Sequence, residues 1–358
     1  MLKALRLAVL ALVLAAAGWE TAVAPPSLHF PRDHGAHPAF RTEWWYMTGQ
    51  LGDSGSRRYG FQLTFFRQGL DPSAPEPGQS ALRAHQVLAA HLAIGELGSG
   101  RMHFAERRRR IGGGLAGAAD DDLDLFLEDW TMRRTQEGTV VIAASDRGTA
   151  TALRLELAPA KPLVLHGEGG FSPKGPAPGN ASVYVSWTRL DARGVLALGG
   201  STAQVQGQVW FDHEWGTSQL GPDIAGWDWF GLRLADGREL MLYRLRREDG
   251  SAASESAGTL VERDGSSRHL SSADLVLEAK TWWTSPRTGA RYPATFHVTL
   301  PLAGLDLEVR PQIPDSEIDG RGSTGTVYWE GPVGVAGSST GEGYAELTGY
   351  VASMAGRF

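Results

Sequence analysis

Leu153-Arg154-Leu155-Glu156-Leu157 alternates apolar and charged side chains without a break. Successive side chains of an extended strand point to opposite faces, so this run puts three leucines on one face and two charges on the other. Leu305-Asp306-Leu307-Glu308-Val309 repeats the pattern, and Leu123-Asp124-Leu125-Phe126-Leu127-Glu128 nearly does. Segments of this kind keep one face in a core and the other in water. Between such runs stand Glu137-Gly138, Asp236-Gly237, Asp249-Gly250 and Asp264-Gly265, the residue pairs of tight hairpins. No long stretch carries the 3.6-residue spacing of an amphipathic helix. Short strands joined in series by hairpins predict an all-β chain, a sandwich or an up-and-down barrel.

The 358 residues are enough for two domains of roughly 150 residues each. With 42% hydrophobic and 21% charged residues the composition is that of an ordinary globular protein rather than a disordered one. The formal charge is −6, and the one basic run, Arg107 to Arg110, reads as a solvated strand end. No broad basic surface follows from this, so nucleic acid is not an expected partner. Cysteine is absent, which rules out disulfides, thiolate catalysis, thiolate metal sites and a lipidated cysteine.

Lys3 and Arg6 precede an unbroken apolar run from Leu7 to Ala17, followed by Ala15-Ala16-Ala17 or Ala22-Val23-Ala24 as candidate cleavage sites. The run is shorter than the ~20 apolar residues a membrane span needs. Residues 1–24 therefore read as a secretory signal, and the mature chain is expected to be soluble and exported, periplasmic or secreted. Pro25 directly after the second site disfavours a cut there. Polar, proline-rich loops are expected at 71–80 and 172–180. Gly221-Pro222 breaks the pattern before a new strand, which assigns 25–221 to a first domain and 222–358 to a second. Glu43-Trp44-Trp45 and Asp228-Trp229-Phe230, each an acid followed by paired aromatics opening a hairpin, form a weak internal echo of two related halves.

Three clusters carry the chemistry. Asp33-His34-Gly35-Ala36-His37 leads to Glu43-Trp44-Trp45-Tyr46. Trp210-Phe211-Asp212-His213-Glu214-Trp215-Gly216 is the second, and Trp227-Asp228-Trp229-Phe230 with Tyr243 on the next strand is the third. On a strand, Phe211, His213 and Trp215 share one face and Trp210, Asp212 and Glu214 the other. The first of these faces is the one expected to be buried, which makes His213 either a core histidine or a functional one.

Phe30-Pro31-Arg32-Asp33-His34, Glu43-Trp44-Trp45-Tyr46, Phe211-Asp212-His213-Glu214-Trp215-Gly216 and Trp227-Asp228-Trp229-Phe230 resemble the signature blocks of the carotenoid 1,2-hydratase (AttH-like) family. Gly343-Tyr344-Ala345-Glu346-Leu347-Thr348-Gly349-Tyr350 resembles its closing strand. The resemblance runs from about Pro26 to the C-terminus and implies two lipocalin-like antiparallel β-barrels and no cofactor. In the characterised hydratases of that family water is added to a terminal C=C of an acyclic carotene, and many exported relatives have no established activity. The His-x-Trp pair implicated in hydratase activity maps onto His213 and Trp215. The hydratases also carry a tyrosine followed two residues later by an aspartate; here Tyr243 is present, but Leu245 stands in the place of the acid.

Hydration of an isolated alkene needs a proton donor strong enough to form a tertiary carbocation, then a water to trap it. Burial of a carboxylic acid tunes such a donor toward the working pH, and aromatic faces stabilise the cation. On this reading His213, Trp215 and Tyr243 are catalytic candidates, with Glu43, Asp228 or Glu214 substituting for the missing acid. Trp44, Trp45, Tyr46, Phe211, Trp227, Trp229 and Phe230 are the candidate lining of the substrate site. The competing reading is a non-catalytic carrier of a lipid or other hydrophobic ligand, to which peripheral contact with a membrane also belongs. A purely structural role for the aromatic clusters is the third. A zinc site from His34, His37 and His213 with Glu43 as base is a weaker alternative, because a loop gives such histidines no fixed ligand geometry. Gly337-Ser338-Ser339-Thr340-Gly341 matches a nucleophile elbow by letter, but no helical pattern follows it.

Overall fold

A computed structural model describes residues 18–73 and 84–356. Most of the expected leader, residues 1–17, and most of the proline-rich loop at 71–80 lie outside the described residues. Every regular element apart from two 3-10 turns, Arg32–His34 and Pro301–Ala303, is a strand.

The first half contains β1 (Thr42–Asp53), β2 (Arg58–Gly69), β3 (Gln86–Glu96), β4 (Arg101–Arg110), β5 (Ala116–Ala118), β6 (Asp124–Leu127) and β7 (Trp130–Arg134). It continues with β8 (Val140–Asp146), β9 (Thr151–Pro159), β10 (Val164–Leu165), β11 (Phe171–Pro173), β12 (Ala181–Leu198) and β13 (Ser201–Gly216). The second half contains β14 (Ile224–Leu234), β15 (Glu239–Arg247), β16 (Ala257–Val261), β17 (Ser267–Ser271) and β18 (Val276–Thr284). It ends with β19 (Arg291–Leu300), β20 (Leu305–Pro311), β21 (Glu317–Gly320), β22 (Thr326–Gly337) and β23 (Gly341–Leu347).

Two antiparallel sheets result. The first runs β4-β3-β2-β1-β13-β12-β9-β8-β7-β6-β5, with β10 and β11 paired to β12; it curls until β4 meets β6. The second runs β17-β16-β15-β14-β23-β22-β20-β19-β18, with β21 paired to β22. In both, the opening strand lies between the second strand and the last: β1 between β2 and β13, β14 between β15 and β23. This is the all-β, lipocalin-like double barrel.

The alternating runs behave as their period requires. In β9 Leu153, Leu155 and Leu157 are buried while Arg154 and Glu156 are exposed, and Leu305, Leu307 and Val309 of β20 point inward. Gly237, Gly250 and Gly265 take φ values of 89°, 83° and 86°, the left-handed backbone these hairpin turns need and a side chain resists. The internal echo has a structural counterpart. Glu43 faces Arg67 across β1 and β2, Asp228 faces Arg244 across β14 and β15, and each acid is ion-paired to that arginine.

Each barrel has its own apolar interior, centred on Trp45, Phe61, Phe65 and Trp130 in the first and on Phe230, Phe296 and Trp329 in the second. A third cluster, with Tyr46, Tyr184, Trp210, Trp229, Tyr243 and Tyr344, lies between the two. Residues 18–24, placed by the sequence in the leader, are seated on the first barrel: Ala22 is buried with Val183 and Trp215, and the Glu20 carbonyl accepts from Thr217. A Cβ added at Gly69 would meet the Trp19 ring at 2.2 Å, so that indole packs on bare backbone.

Candidate functional site

Register decides what faces the space between the barrels. Trp44, Tyr46 and Thr48 of β1 stand opposite Glu214, Asp212 and Trp210 of β13. Because alternate residues share a face, all six lie on the side of the first barrel turned toward the second. The second barrel answers with Trp227 and Trp229 of β14, Tyr243 and Leu245 of β15, Glu330 of β22 and Glu346 of β23. Together with Tyr184 and Lys174 they enclose a cavity of about 90 Å³.

Seven aromatic side chains line it, and four carboxyl groups enter it. Asp212 Oδ1 accepts from Trp210 Nε1 at 2.6 Å and from Ser186 Oγ, while Oδ2 accepts from the Tyr184 hydroxyl at 2.7 Å. Burial raises the Asp212 pKa to about 7, against the pull of these donors. Burial also raises Glu346 to about 7, although Trp227 Nε1 donates to it at 3.0 Å. Glu330 and Glu346 stand directly opposite each other on β22 and β23. Burial, and then the charge of Glu346, push Glu330 well above the ordinary carboxylate range. The fourth acid, Glu214, has a cation of its own: Lys174 Nζ lies 3.3 Å from Oε1 and 3.8 Å from the centroid of the Tyr243 ring. Burial disfavours the ammonium, but Glu214 and Tyr243 outweigh it and hold Lys174 above the usual lysine value. The pocket thus combines one ion pair with three acids that carry protons near neutrality.

A chain of hydrogen bonds backs Asp212. Ser186 Oγ, which donates to it, lies 2.7 Å from His166 Nε2, and His166 Nδ1 lies 2.8 Å from Thr259 Oγ1 of the second barrel. Burial lowers the His166 pKa to about 3, so the imidazole is neutral and can donate on one side only.

His213 occupies the opposite face of β13. Its side chain is fully buried inside the first barrel, with Trp45 stacked at 4.9 Å and Trp215 at 4.6 Å between centroids. Nε2 lies 2.8 Å from Glu43 Oε1, which His37 Nδ1 also approaches at 2.8 Å, and Arg67 Nε donates to Oε2 at 2.7 Å. Burial lowers His213 to about 4 despite Glu43. Burial opposes ionisation of Glu43 as well, but Arg67 and the two histidines outweigh it and keep the acid ionised. The ligand atoms of His37, Glu43 and His213 fall within 4.8 Å of one another, so three of the four residues considered for zinc do converge. The carboxylate they share is already taken up by the Arg67 guanidinium, which is the wrong neighbour for a second cation. His34 lies apart, its ring 4.5 Å from Trp187.

The residues singled out by sequence therefore separate into two groups. Trp44, Tyr46, Glu214, Trp227, Trp229 and Tyr243 line the cavity between the barrels. His213, Trp215, Glu43, Trp45 and Phe211 lie on the other face of the same strands, and Asp228 and Phe230 point into the second barrel. Asp228 is consumed there by Arg244, Arg246 and the Tyr350 hydroxyl. The catalytic candidates His213 and Glu43 therefore do not face this cavity: both faces of β13 are buried, and the even-numbered one meets the cavity. Leu245, in the position of the family acid, lines the cavity as an apolar residue, and the acids arrive from β13, β22 and β23 instead. Asp212, Glu330, Glu346, Lys174, Tyr184 and His166 are the functional candidates the sequence reading did not single out. Gly337 to Gly341 is the hairpin between β22 and β23, with no helix after it.

The AttH-like family model matches residues 21–350. A crystal structure of an AttH protein from Nitrosomonas europaea is 35% identical, with a TM-score of 0.83 over 93% of this chain and all of that one. Kievitone hydratase from Nectria haematococca shares the fold at 13% identity, with a TM-score of 0.67 over 94% of this chain and 96% of its own. No match is found among curated proteins. With the family model and the Nitrosomonas structure both spanning nearly the whole double barrel, the chain belongs to the AttH-like family.

Proposed function

We propose that the protein is a cofactor-independent, hydratase-like enzyme that adds water across a C=C of a long apolar substrate in the cavity between its barrels. The observation that carries this reading is the convergence of Asp212, Glu330 and Glu346, whose pKa values burial raises, on one aromatic-lined chamber. Asp212 is the proton donor. Its Oδ1 is filled by two donors and its Oδ2 by one, which leaves Oδ2 the position for the transferable proton. A pKa near 7 is where a general acid both holds its proton and gives it up readily. Protonation at the less substituted alkene carbon leaves a tertiary cation facing the Trp44 and Trp229 rings, an attraction worth ~2 kcal/mol or more when desolvated. Water then adds to the cation and returns its proton to the Asp212 carboxylate, so that alkene and water give one alcohol and the acid is regenerated. The kinship in fold with a hydratase supports the reaction class.

Incubation with a panel of isoprenoids, followed by mass spectrometry for a gain of one water, tests this. Asp212→Asn must abolish the adduct while the fold is kept, and an unaltered panel with wild-type protein overturns the reading. The face of Met241, Tyr243 and Leu245, apolar apart from the phenol, favours the second reading, a non-catalytic carrier, in which native mass spectrometry finds an intact hydrophobic molecule in the same chamber.

A further inference from the structure

A second, larger chamber of about 500 Å³ adjoins the first across a shared wall of Trp44, Phe66, Trp227 and Glu346. The two differ in size and in character. The inner one, at about 90 Å³, is smaller than the ~150 Å³ cavity that admits a benzene ring, so it takes one branched end of a chain and no more. The outer one falls within the ~300–1,000 Å³ of ordinary ligand pockets and has a polar, basic side formed by Arg41, Arg108, Ser323, Thr324, Thr326 and Thr348.

The charges there are not balanced. Arg67 also reaches this chamber but is spent on Glu43 and the carbonyls of His37 and Phe40. Glu346 keeps its proton up to about pH 7. Glu106 lies behind the wall, accepting from Ser323 Oγ at 2.5 Å. Arg108 gives one nitrogen to the Ser323 carbonyl at 3.1 Å, and the exposed Arg41 guanidinium meets no side-chain partner among the described residues. Two guanidiniums with unused donors at the mouth of an apolar funnel form a receptor for an anionic oxygen group.

We propose that the ligand is an amphiphile with an anionic head, a carboxylate or phosphate bound by Arg41 and Arg108 in the outer chamber, its apolar end reaching the inner one. This inference rests on the proposed function for the role of the inner end, and it names the substrate class that the cavity selects.

Binding of farnesoic acid and of farnesol, which share a chain and differ in the head, is measured by quenching of tryptophan fluorescence at a pH where the acid is ionised. The acid binds about tenfold or more tighter, the size of one or two charge-assisted hydrogen bonds, and added salt removes that advantage. Arg41→Gln with Arg108→Gln brings the acid down to the alcohol and leaves the alcohol unchanged. Farnesyl monophosphate in parallel separates a carboxylate from a phosphate preference. Equal binding of acid and alcohol overturns the proposal, as does an effect of the substitutions confined to phosphatidylglycerol vesicles, which would make the arginines a membrane contact. Failure of hydration with retained acid preference refutes the catalytic reading alone.

Discussion

Lowering the pH from about 7 to about 5 tests whether the cavity acids carry protons, because they oppose four buried histidines in the balance of stability. His34, His91 and His166 are held at about 3 and His213 at about 4, against 6.5 in an unfolded chain. Their folded pKa values are depressed, so the stability they contribute is present above 6.5 and lost as the pH falls. At pH 5 the loss is about 2 kcal/mol each, about 8 kcal/mol in all. The acids act the other way. Asp212 and Glu346 stand at about 7 when folded, against 3.8 and 4.5, and Glu330 keeps its proton throughout. Their folded values are raised, so stability grows as the pH falls toward the unfolded values and is lost as it rises through 7. Over the same two pH units Asp212 and Glu346 return about 4 kcal/mol, Glu346 the less because it is partly exposed, and Glu330 acts in the same direction. Wild-type stability, measured by urea unfolding at the two pH values, therefore falls by about 4 kcal/mol or less. The variant Asp212→Asn/Glu330→Gln/Glu346→Gln loses about 8 kcal/mol over the same interval. Comparing each protein with itself cancels any constant cost of the substitutions. A triple variant that follows wild type across this range would show the three acids ionising like surface carboxylates, and the proton-donor assignment would fall with them.

Glu43→Gln leaves the Arg67 guanidinium buried without its countercharge and costs about 3–5 kcal/mol in urea unfolding, with binding of the uncharged farnesol unchanged. A loss of binding at full stability would place the Glu43 cluster in the site instead. Export of the full chain gives a mature protein beginning at Gly18, because Trp19 and Ala22 are part of the first barrel. Intact-mass measurement checks this, and a chain starting at Pro25 would contradict it.

Strands and turns were legible because period-two alternation survives wherever one face meets water, as in β9 and β20, while the double barrel followed only from the resemblance to a known family, since alternation alone left a sandwich open. The site was only half legible for the same reason. From Val209 to Gly216 every residue is buried, so β13 carries no inside-outside signal, and the histidine with its aromatic neighbours drew the choice to the face turned away from the inter-barrel cavity. Glu214 on the cavity face was already named as a substitute acid, whereas Asp212, two residues before it on the same face, was not. Lys174 sits in a stretch that reads as polar loop, and nothing local announces that its ammonium turns inward onto Glu214. Glu330 and Glu346 could have been paired by hairpin arithmetic, since both lie eight residues from Ser338 at the turn between β22 and β23. What no local pattern holds is the meeting of the two barrels, which turns scattered acids into neighbours.

His166 belongs to the first barrel's loop between β10 and β11, yet one of its nitrogens is tied to Thr259 of the second while the other steadies the serine that holds Asp212. The imidazole works as a tether strung across the seam. A shift of either barrel by a fraction of an ångström pulls on that tether and reaches the acid two bonds further along. Proton affinity at Asp212 is thereby coupled to how the halves are clasped.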